Sequence, residues 1–508
     1  MRLRSNLFQV CALSVLLLGI LAINACKKGF DGTPKATDLP ETFMVVDSIY
    51  RTGPNRLPTK VEAHWWGSSA NGIIKYYEVS LNKGATWFAT TSQDSLFLLE
   101  IPIGSDSADA LVMVRAVDQL GQKDPSPAST LFPIKNSPPV ASFSYAVFQS
   151  GIATRNIENT FPVLKFNISG LDPDGDVLQA FELYINDTNN SPVLIPGNSA
   201  AFTLISKQPR ADSAVCDIYI GNSTNQFSET ISGLKQGAFN TIYIRAVDKA
   251  FSKSPYVASR QVWVKKVSSD VLVVNGYNNS KLLVQNFYCK RLNAVGINSF
   301  DTLQASEIIN DNYTQLQPDF LTQSRTFSLF KKIVWFSDDA ESSLSMGQRT
   351  TAPFFDAGGK LFMAVTFTSS YNVFSNYLDW TPIQSLVNAP TGSVFRIGSN
   401  TDLPAVKSGW PTLNSTQVIS SARPFNLPNN NGAVVAYDSL YSGGIIESKA
   451  APQPAAEWKG GAVTIARRYK PSTQKSNFII SSIPLERMNG KSNTDSLFQK
   501  IFIEQLEF

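Results

Sequence analysis

Between residues 41 and 266 apolar and polar positions alternate, and no helical spacing is sustained. Val112, Val114 and Ala116 fall on one side of a run whose other side carries Met113 and Arg115, and Ile242, Ile244 and Ala246 repeat the arrangement. Such runs predict half-buried strands. Turn formers, Asn71-Gly72, Lys83-Gly84, Asp124-Pro125 and Asp174-Gly175, separate them, so the region predicts β-sandwiches. From Ser269 onward the pattern changes. Continuous apolar runs at 270–274, 332–336 and 360–365 alternate with helical stretches, the first being 281–292, where Val284, Tyr288 and Leu292 share a face. A second helical stretch covers 319–329, and further strands are expected at 462–466 and 477–483. The last element is a helix capped by Asn493 or Thr494, with Leu497, Phe498, Ile501, Phe502 and Leu506 on one side. Apolar strands separated by helices predict a mostly parallel sheet covered on both faces, a three-layer α/β domain.

The β region contains a repeat. LVMVRAVD at 111–118 matches TIYIRAVD at 241–248, a shift of about 130 residues, and Lys123, Pro125, Ala128 and Ser129 reappear as Lys253, Pro255, Ala258 and Ser259. YEVSLN at 77–82 resembles FELYIN at 181–186 with a shift of only about 104, so the second copy carries an insertion of about 26 residues, a longer loop or hairpin. The RAVD strand before KxPxxAS, together with Trp65-Trp66-Gly67, resembles fibronectin type III or related Ig-like modules of bacterial cell-surface proteins. The resemblance covers 41–136 and 137–267 and implies two tandem β-sandwiches serving as spacers or binding platforms.

Residues 268–508 resemble the glutamine-amidotransferase-like, flavodoxin-like α/β family. DVLVVNGYNN, FKKIVWFSDD, FFDAGGKLFM and FIISSIPLERMNG carry the likeness, with an irregular insertion at about 371–442. Catalytic members of that family hold a cysteine on the turn after a central strand, with a histidine and an acid as partners. The matching turn here, Val365-Thr366-Phe367-Thr368-Ser369, has no cysteine, and the domain has no histidine. Cys289 falls in the first helix, where burial is expected. A Cys-His or Ser-His triad therefore cannot be assembled from this domain, and the chain leans away from catalysis.

Ligands of such a sheet approach the carboxyl ends of its strands, which here carry Asn275, Tyr277, Asn278, Asp338, Asp339, Thr366, Thr368 and Glu486. Asp338 with Asp339, joined by Glu341, would supply a general acid and base of the kind glycosidases use. The same acids read more simply as the cap of the next helix. Neither GxxxxGK[ST] nor GxGxxG occurs, so nucleotide binding has no motif behind it. The insertion is rich in aromatics, Trp380 and Trp410 among them, which either stack on sugar rings or form a local core.

Arg2 and Arg4 precede an apolar run over 7–23 that closes with Ala25-Cys26, the pattern of a signal peptide. A small residue before the cysteine resembles the lipobox of bacterial lipoproteins. By that resemblance, residues 1–25 are a leader, Cys26 is the lipidated first residue and 26–40 is a flexible tether reaching at most about 50 Å. An uncleaved anchor over 7–25 is the alternative. Both readings place the chain in the cell envelope, and the resemblance to lipoproteins of the Bacteroidetes type implies the outer membrane. The acidic patch that resembles a surface-export signal is missing, so the periplasmic and surface faces both stay open.

In the 508-residue chain, Lys+Arg 44 against Asp+Glu 40 gives +4, and 42 − 40 = +2 without the leader. That balance excludes a strongly basic nucleic-acid binder. One histidine, His64, and four cysteines, Cys11, Cys26, Cys216 and Cys289, leave too few ligands for a Cys/His metal site. His64, beside Trp65 on a strand, reads as a packed or surface residue. Asp172, Asp174 and Asp176 alternate around Gly175 and could wrap calcium, the only cofactor suggested. An EF-hand loop fails at Val177 and Leu183, and an Asx-rich turn is the simpler reading. Three functions stay open: a non-catalytic lipoprotein binding glycan or a protein partner, a carboxylate-dependent carbohydrate hydrolase, and a purely structural envelope component.

Overall fold

The computed structural model describes residues 38–46, 60–70, 72–99, 101–102, 105–144, 159–173, 177–278, 281–305, 314–315, 319–367, 371, 376–430, 434–449 and 455–508. The leader, Cys26, most of the tether, Asp174, Asp176 and Thr368 lie outside them. Among the described residues no helix is long and apolar enough to cross a membrane. The chain falls into two compact units. One comprises the residues up to Pro139 with the loops Asp172–Val177 and Asp248–Lys253, the other Val140–Leu171, Leu178–Val247 and Ser254–Phe508.

Among the described residues the first unit contains seven strands: β1 (Glu41–Val46), β2 (Lys60–Ser68), β3 (Ile74–Ser80), β4 (Phe88–Thr90), β5 (Asp94–Leu98), β6 (Ser107–Asp118) and β7 (Ala128–Lys135). They form two antiparallel sheets, β1-β2-β5 and β4-β3-β6-β7. Alternation decides which side chains meet between them. Val112, Val114 and Ala116 of β6 are buried against Trp65 of β2, whose indole lies 5.9 Å from Phe97 and donates its N–H to the Ser92 carbonyl. Gly67 is required by close approach, since a Cβ there would sit 2.8 Å from that of Ala116.

The second sandwich repeats this plan: β8 (Val140–Ser144), β9 (Val163–Leu171), β10 (Ala180–Ile185), β11 (Val193–Pro196), β12 (Ala201–Ser206), β13 (Ser213–Ile220), β14 (Thr230–Lys235), β15 (Ile242–Val247) and β16 (Val257–Ala258). Its sheets run β14-β13-β12-β9-β8 and β11-β10-β15-β16. Without β13 and β14 the order is that of the first sandwich, and those two strands occupy the interval where the repeat requires an insertion. They extend the sheet that corresponds to β1-β2-β5. The repeated residues also do the same work twice. Arg115 pairs with Glu78 directly across β6 and β3, and Arg245 pairs with Glu182 across β15 and β10. Each guanidinium also lies over an aromatic ring, Trp87 at 4.0 Å and Tyr256 at 4.5 Å.

The remaining part of the second unit is built on a ten-stranded sheet. Its main strands are β17 (Val271–Gly276), β18 (Asp301–Gln304), β19 (Thr314–Gln315), β20 (Lys332–Ser337), β21 (Lys360–Val365), β22 (Val463–Tyr469) and β23 (Ser476–Ser481), in the order β19-β18-β17-β20-β21-β23-β22. All neighbours are parallel except β22, which runs antiparallel to β23. Helices α1 (Lys281–Ala294), α2 (Phe320–Phe327), α3 (Ala340–Thr350), α4 (Ala352–Asp356) and α5 (Thr494–Phe498) join them. Because side chains alternate across a strand, the apolar runs feed two cores. Val273, Val334 and Phe362 share one with Tyr288 of α1 and Phe498 of α5, while Val274, Trp335 and Met363 share the other with Phe327, Leu344 and Phe354. The expected final helix is α-helical only to Phe498. Gln499–Gln505 continues it as a π-helix that buries Ile501 and Phe502, and Asn493 makes no side-chain cap. The insertion adds short strands, of which Ser385–Leu386, Phe425–Asn426 and Ala436–Ser442 extend the large sheet. Cys216 is buried and Cys289 half-buried, both as free thiols, and burial pushes them up to about 12 and about 11.

Within this unit the second sandwich is docked on the α/β part. Phe161 meets Phe330 edge-on at 5.0 Å, Lys265 reaches Asp301 at 3.4 Å, and Arg210 and Lys331 share Asp270. The sheet face of β9 receives α2: Lys165 pairs with Asp319 at 3.3 Å, and Arg325 lies 4.0 Å over Tyr219 of β13 and donates to the Ser223 carbonyl at 2.6 Å.

Candidate functional site

The parallel strand order reverses at β17. The chain leaves it through α1 toward β18 and returns through α2 to β20 on its other side, so the connections that follow β17 and β20 run to opposite sides. Crevices at such reversals are where open α/β sheets take ligands. Gly276 allows the two strand ends to approach, because a Cβ would lie 2.8 Å from both Cβ and Oγ of Ser337. Beyond it, the Asn278 backbone N–H donates to Asp338 at 2.9 Å, and the Asn275 amide donates to Gln285 of α1 at 3.0 Å. The Tyr277 hydroxyl donates to Oε1 of Glu486 at 3.0 Å.

Glu486 sits on a single 3-10 turn, Leu485–Arg487, directly after β23. Its Oε2 is buried without a hydrogen-bond partner. Burial pushes this carboxyl above the usual glutamate range. Its backbone hydrogen bond, the Tyr277 hydroxyl and the Arg487 charge oppose the rise, and the neighbouring Asp338 charge adds to it. Tyr277 is also raised, by burial first and then by Glu486, with a hydrogen bond to the Thr366 side chain acting the other way. The site therefore combines a carboxyl group held toward its neutral form, a phenol and the Asp338 carboxyl. These groups can both donate to and accept from a hydroxylated ligand.

Of the residues singled out from the sequence, Asn275, Tyr277, Asn278, Asp338, Thr366 and Glu486 come together here. Asp339 instead caps α3, its Oδ1 accepting from the Ser342 N–H at 3.0 Å and its Oδ2 from the Ser342 hydroxyl at 2.6 Å. Glu341 is exposed on the first turn of that helix. Trp380 stacks on Phe478 at 5.0 Å and donates to the Leu344 carbonyl, which pins the insertion to α3. Trp410 packs edge-on against Tyr441 at 6.2 Å. His64 lies half-buried on β2. Asp172 is buried, while the other two acids of the suggested calcium loop are outside the described residues. Among the described residues no group of three or more His, Cys, Asp or Glu could hold a metal ion. Glu486 is the acid whose weight the sequence understates. Its only signal is a lone carboxylate following the apolar strand FIISSIP.

No protein-family model matches the sequence, and no curated protein does. Solved structures that align with the chain include fibronectin type III arrays. The fibronectin(III)-like modules of Clostridium thermocellum CbhA share 12% identity over 44% of this chain and 94% of theirs, with a TM-score of 0.16. A two-domain fibronectin type III segment of chicken tenascin shares 12% over 45% of this chain and 100% of its own, with a TM-score of 0.21. A structure described as a carbohydrate-binding module of the β-sandwich superfamily shares 11% over 43% and 98%, with a TM-score of 0.15. By its own strand order the chain carries two antiparallel β-sandwiches followed by a mostly parallel, helix-covered sheet.

Proposed function

We propose that this protein is a lipid-anchored, extracytoplasmic binding protein, not an enzyme, whose α/β part takes glycan at the carboxyl ends of β17, β20 and β21. The observation that carries the reading is Glu486, with one oxygen bound by Tyr277 and the other buried and unpaired. A buried polar oxygen without a partner costs about 1–3 kcal/mol, which a ligand hydroxyl would recover. Cys26 supplies the anchor in this reading, and the two sandwiches hold the ligand-binding part away from the membrane. In this reading the α/β part is a non-catalytic relative of amidotransferase-like domains, a likeness supported by its strand order and by the cysteine-free turn at Thr366. A second reading, carbohydrate hydrolysis, is favoured by one observation: the raised Glu486 lies beside Asp338, and two carboxyls in unequal environments are what acid-base catalysis requires.

Affinity electrophoresis of the full chain through a panel of polysaccharides, with reducing ends assayed in the same samples, tests both. Retardation without product, abolished by Glu486→Ala, is the expected result. Product that disappears with Asp338→Asn would establish the hydrolase, and the absence of retardation by every glycan would overturn the proposal.

A further inference from the structure

The two sandwiches expose equivalent sheets to different fates. In β1-β2-β5 the residues pointing away from the core are Glu41, Phe43 and Val45, then Glu62, His64 and Trp66, then Asp94, Leu96 and Leu98, and the strand registers place them on one face. Phe43 stacks on Trp66 with ring centroids 5.6 Å apart. Leu96 is 64% and Trp66 46% exposed, and Phe43, Val45 and Leu98 are exposed as well. In the second sandwich the corresponding outward residues include Val163, Lys165 and Thr203, since Leu164, Phe166, Phe202 and Leu204 fill the core. Val163 is 0% and Thr203 1% exposed, on the face against which α2 packs. The covered part corresponds to the Glu62, Leu96 and Leu98 end of the first sandwich's face, whereas the positions matching Phe43, Val45 and Trp66 are Ser142, Ser144 and Ser169, small polar residues left exposed. Part of this face therefore receives a protein surface in one copy, and that copy shows what kind it is.

We infer that the outer face of β1-β2-β5 docks a separate protein presenting an apolar surface rimmed by lysine or arginine. The apolar centre is aliphatic as well as aromatic, and Val45, Leu96 and Leu98 offer nothing to the hydroxyls of a sugar. Contiguous exposed apolar residues rimmed by polar ones mark interaction surfaces. Charge sets the partner's sign. On the covered face the sheet supplies a cation, Lys165, and the docking helix an anion, Asp319. On the bare face the sheet supplies the anions Glu41, Glu62 and Asp94, all exposed, against the single lysine that the register places there, Lys60 at the start of β2, so the complement is basic. A second copy of the chain would oppose these acids to themselves.

The experiment places a photo-crosslinking residue at Leu96, at Trp66 or, as control, at Leu131, which is exposed on the other sheet of the same sandwich. It uses the full chain in the cells that make it. One protein adduct is expected from positions 96 and 66, about tenfold above position 131, joined to a peptide whose apolar residues are flanked by lysine or arginine. The double variant Glu62→Lys, Asp94→Lys, with an unchanged thermal melt, should reduce the adduct from position 66 about fivefold or more. An adduct with a second copy, an adduct with glycan, equal labelling at all three positions, or indifference to the charge reversal would each overturn the inference. None of these outcomes depends on Glu486, so failure here leaves the glycan site standing, and the reverse also holds.

Discussion

The two sandwiches share strand order, a cross-strand Glu–Arg pair and an Arg–aromatic contact, yet they treat one face in opposite ways. In the second, Val163, Lys165 and Thr203, outward on β9 and β12, lie on the face where a helix of the same chain packs, and Lys165 meets its counter-charge there. In the first, that end of the face carries exposed Leu96 and Leu98, and beside them stand Phe43, Val45 and Trp66 where the second sandwich has exposed serines, all within a frame of acids. The inward positions of both modules obey the same alternation and are equally buried. What duplication preserves is the core, and what diverges is the surface each copy must satisfy.

Mutations can break or sharpen this contrast. The largest effect is expected on the covered side. Phe161 is fully buried against Phe330, so Phe161→Ala should cost about 3–5 kcal/mol in a calorimetric or urea melt. A cost near zero would mean that the sandwich and the α/β part do not pack as described. Next come the paired arginines. Arg245→Ala removes the guanidinium from Glu182, the more deeply buried of the two acids, and should cost about 3 kcal/mol. In Arg115→Ala, Lys123 still reaches Glu78 at 2.8 Å, and about 1 kcal/mol is expected. Equal losses would remove that distinction between the copies. Asp319→Ala deletes both the cap of α2 and the partner of Lys165, for about 1–2 kcal/mol. Smallest is Leu96→Ala on the bare face, within about 0.5 kcal/mol of the unsubstituted chain.

Acid–base behaviour offers a further contrast, between Glu78 and Glu486. Burial pushes Glu78 up, but hydrogen bonds and charges from Lys123 and Arg115 outweigh it and hold the carboxyl below its ordinary value near 4.5. Its contribution is present above that value and fades as pH falls through the lowered one. Glu486 is raised by burial. Its contribution is complete below 4.5 and is lost as pH climbs through the raised value. Melts recorded across this range should show Glu78→Gln lowering stability at neutral pH and Glu486→Gln raising it. Neither substitution should matter well below 4.5, and a Glu486→Gln variant that melts lower at neutral pH would contradict the burial argument.

Much of the fold is legible in the sequence because it depends on local periodicity. Val112, Val114, Ile242 and Ile244 alternate and are buried, and the uninterrupted runs at 271–274, 333–336 and 361–365 are central strands buried on both faces. The length mismatch in the repeat also points to β13 and β14. What stays hidden depends on distant neighbours. Val163 and Thr203 sit at outward positions and are buried on the face where α2, more than a hundred residues later, packs. Glu486 lies 209 residues from Tyr277, and no spacing rule links them. Asp339 illustrates the opposite case, since a cap acts within three residues and was readable as one.

The measurement that tests the contrast most directly is hydroxyl-radical footprinting of the full chain, once purified and once in intact cells. Phe43, Trp66 and Leu96 should label strongly in the purified chain and lose most of that label in cells, while Val163 stays protected in both. Equal labelling of Trp66 in the two states, or ready labelling of Val163 in the purified chain, would contradict the account that one face is covered by the chain itself and its counterpart is kept for a partner.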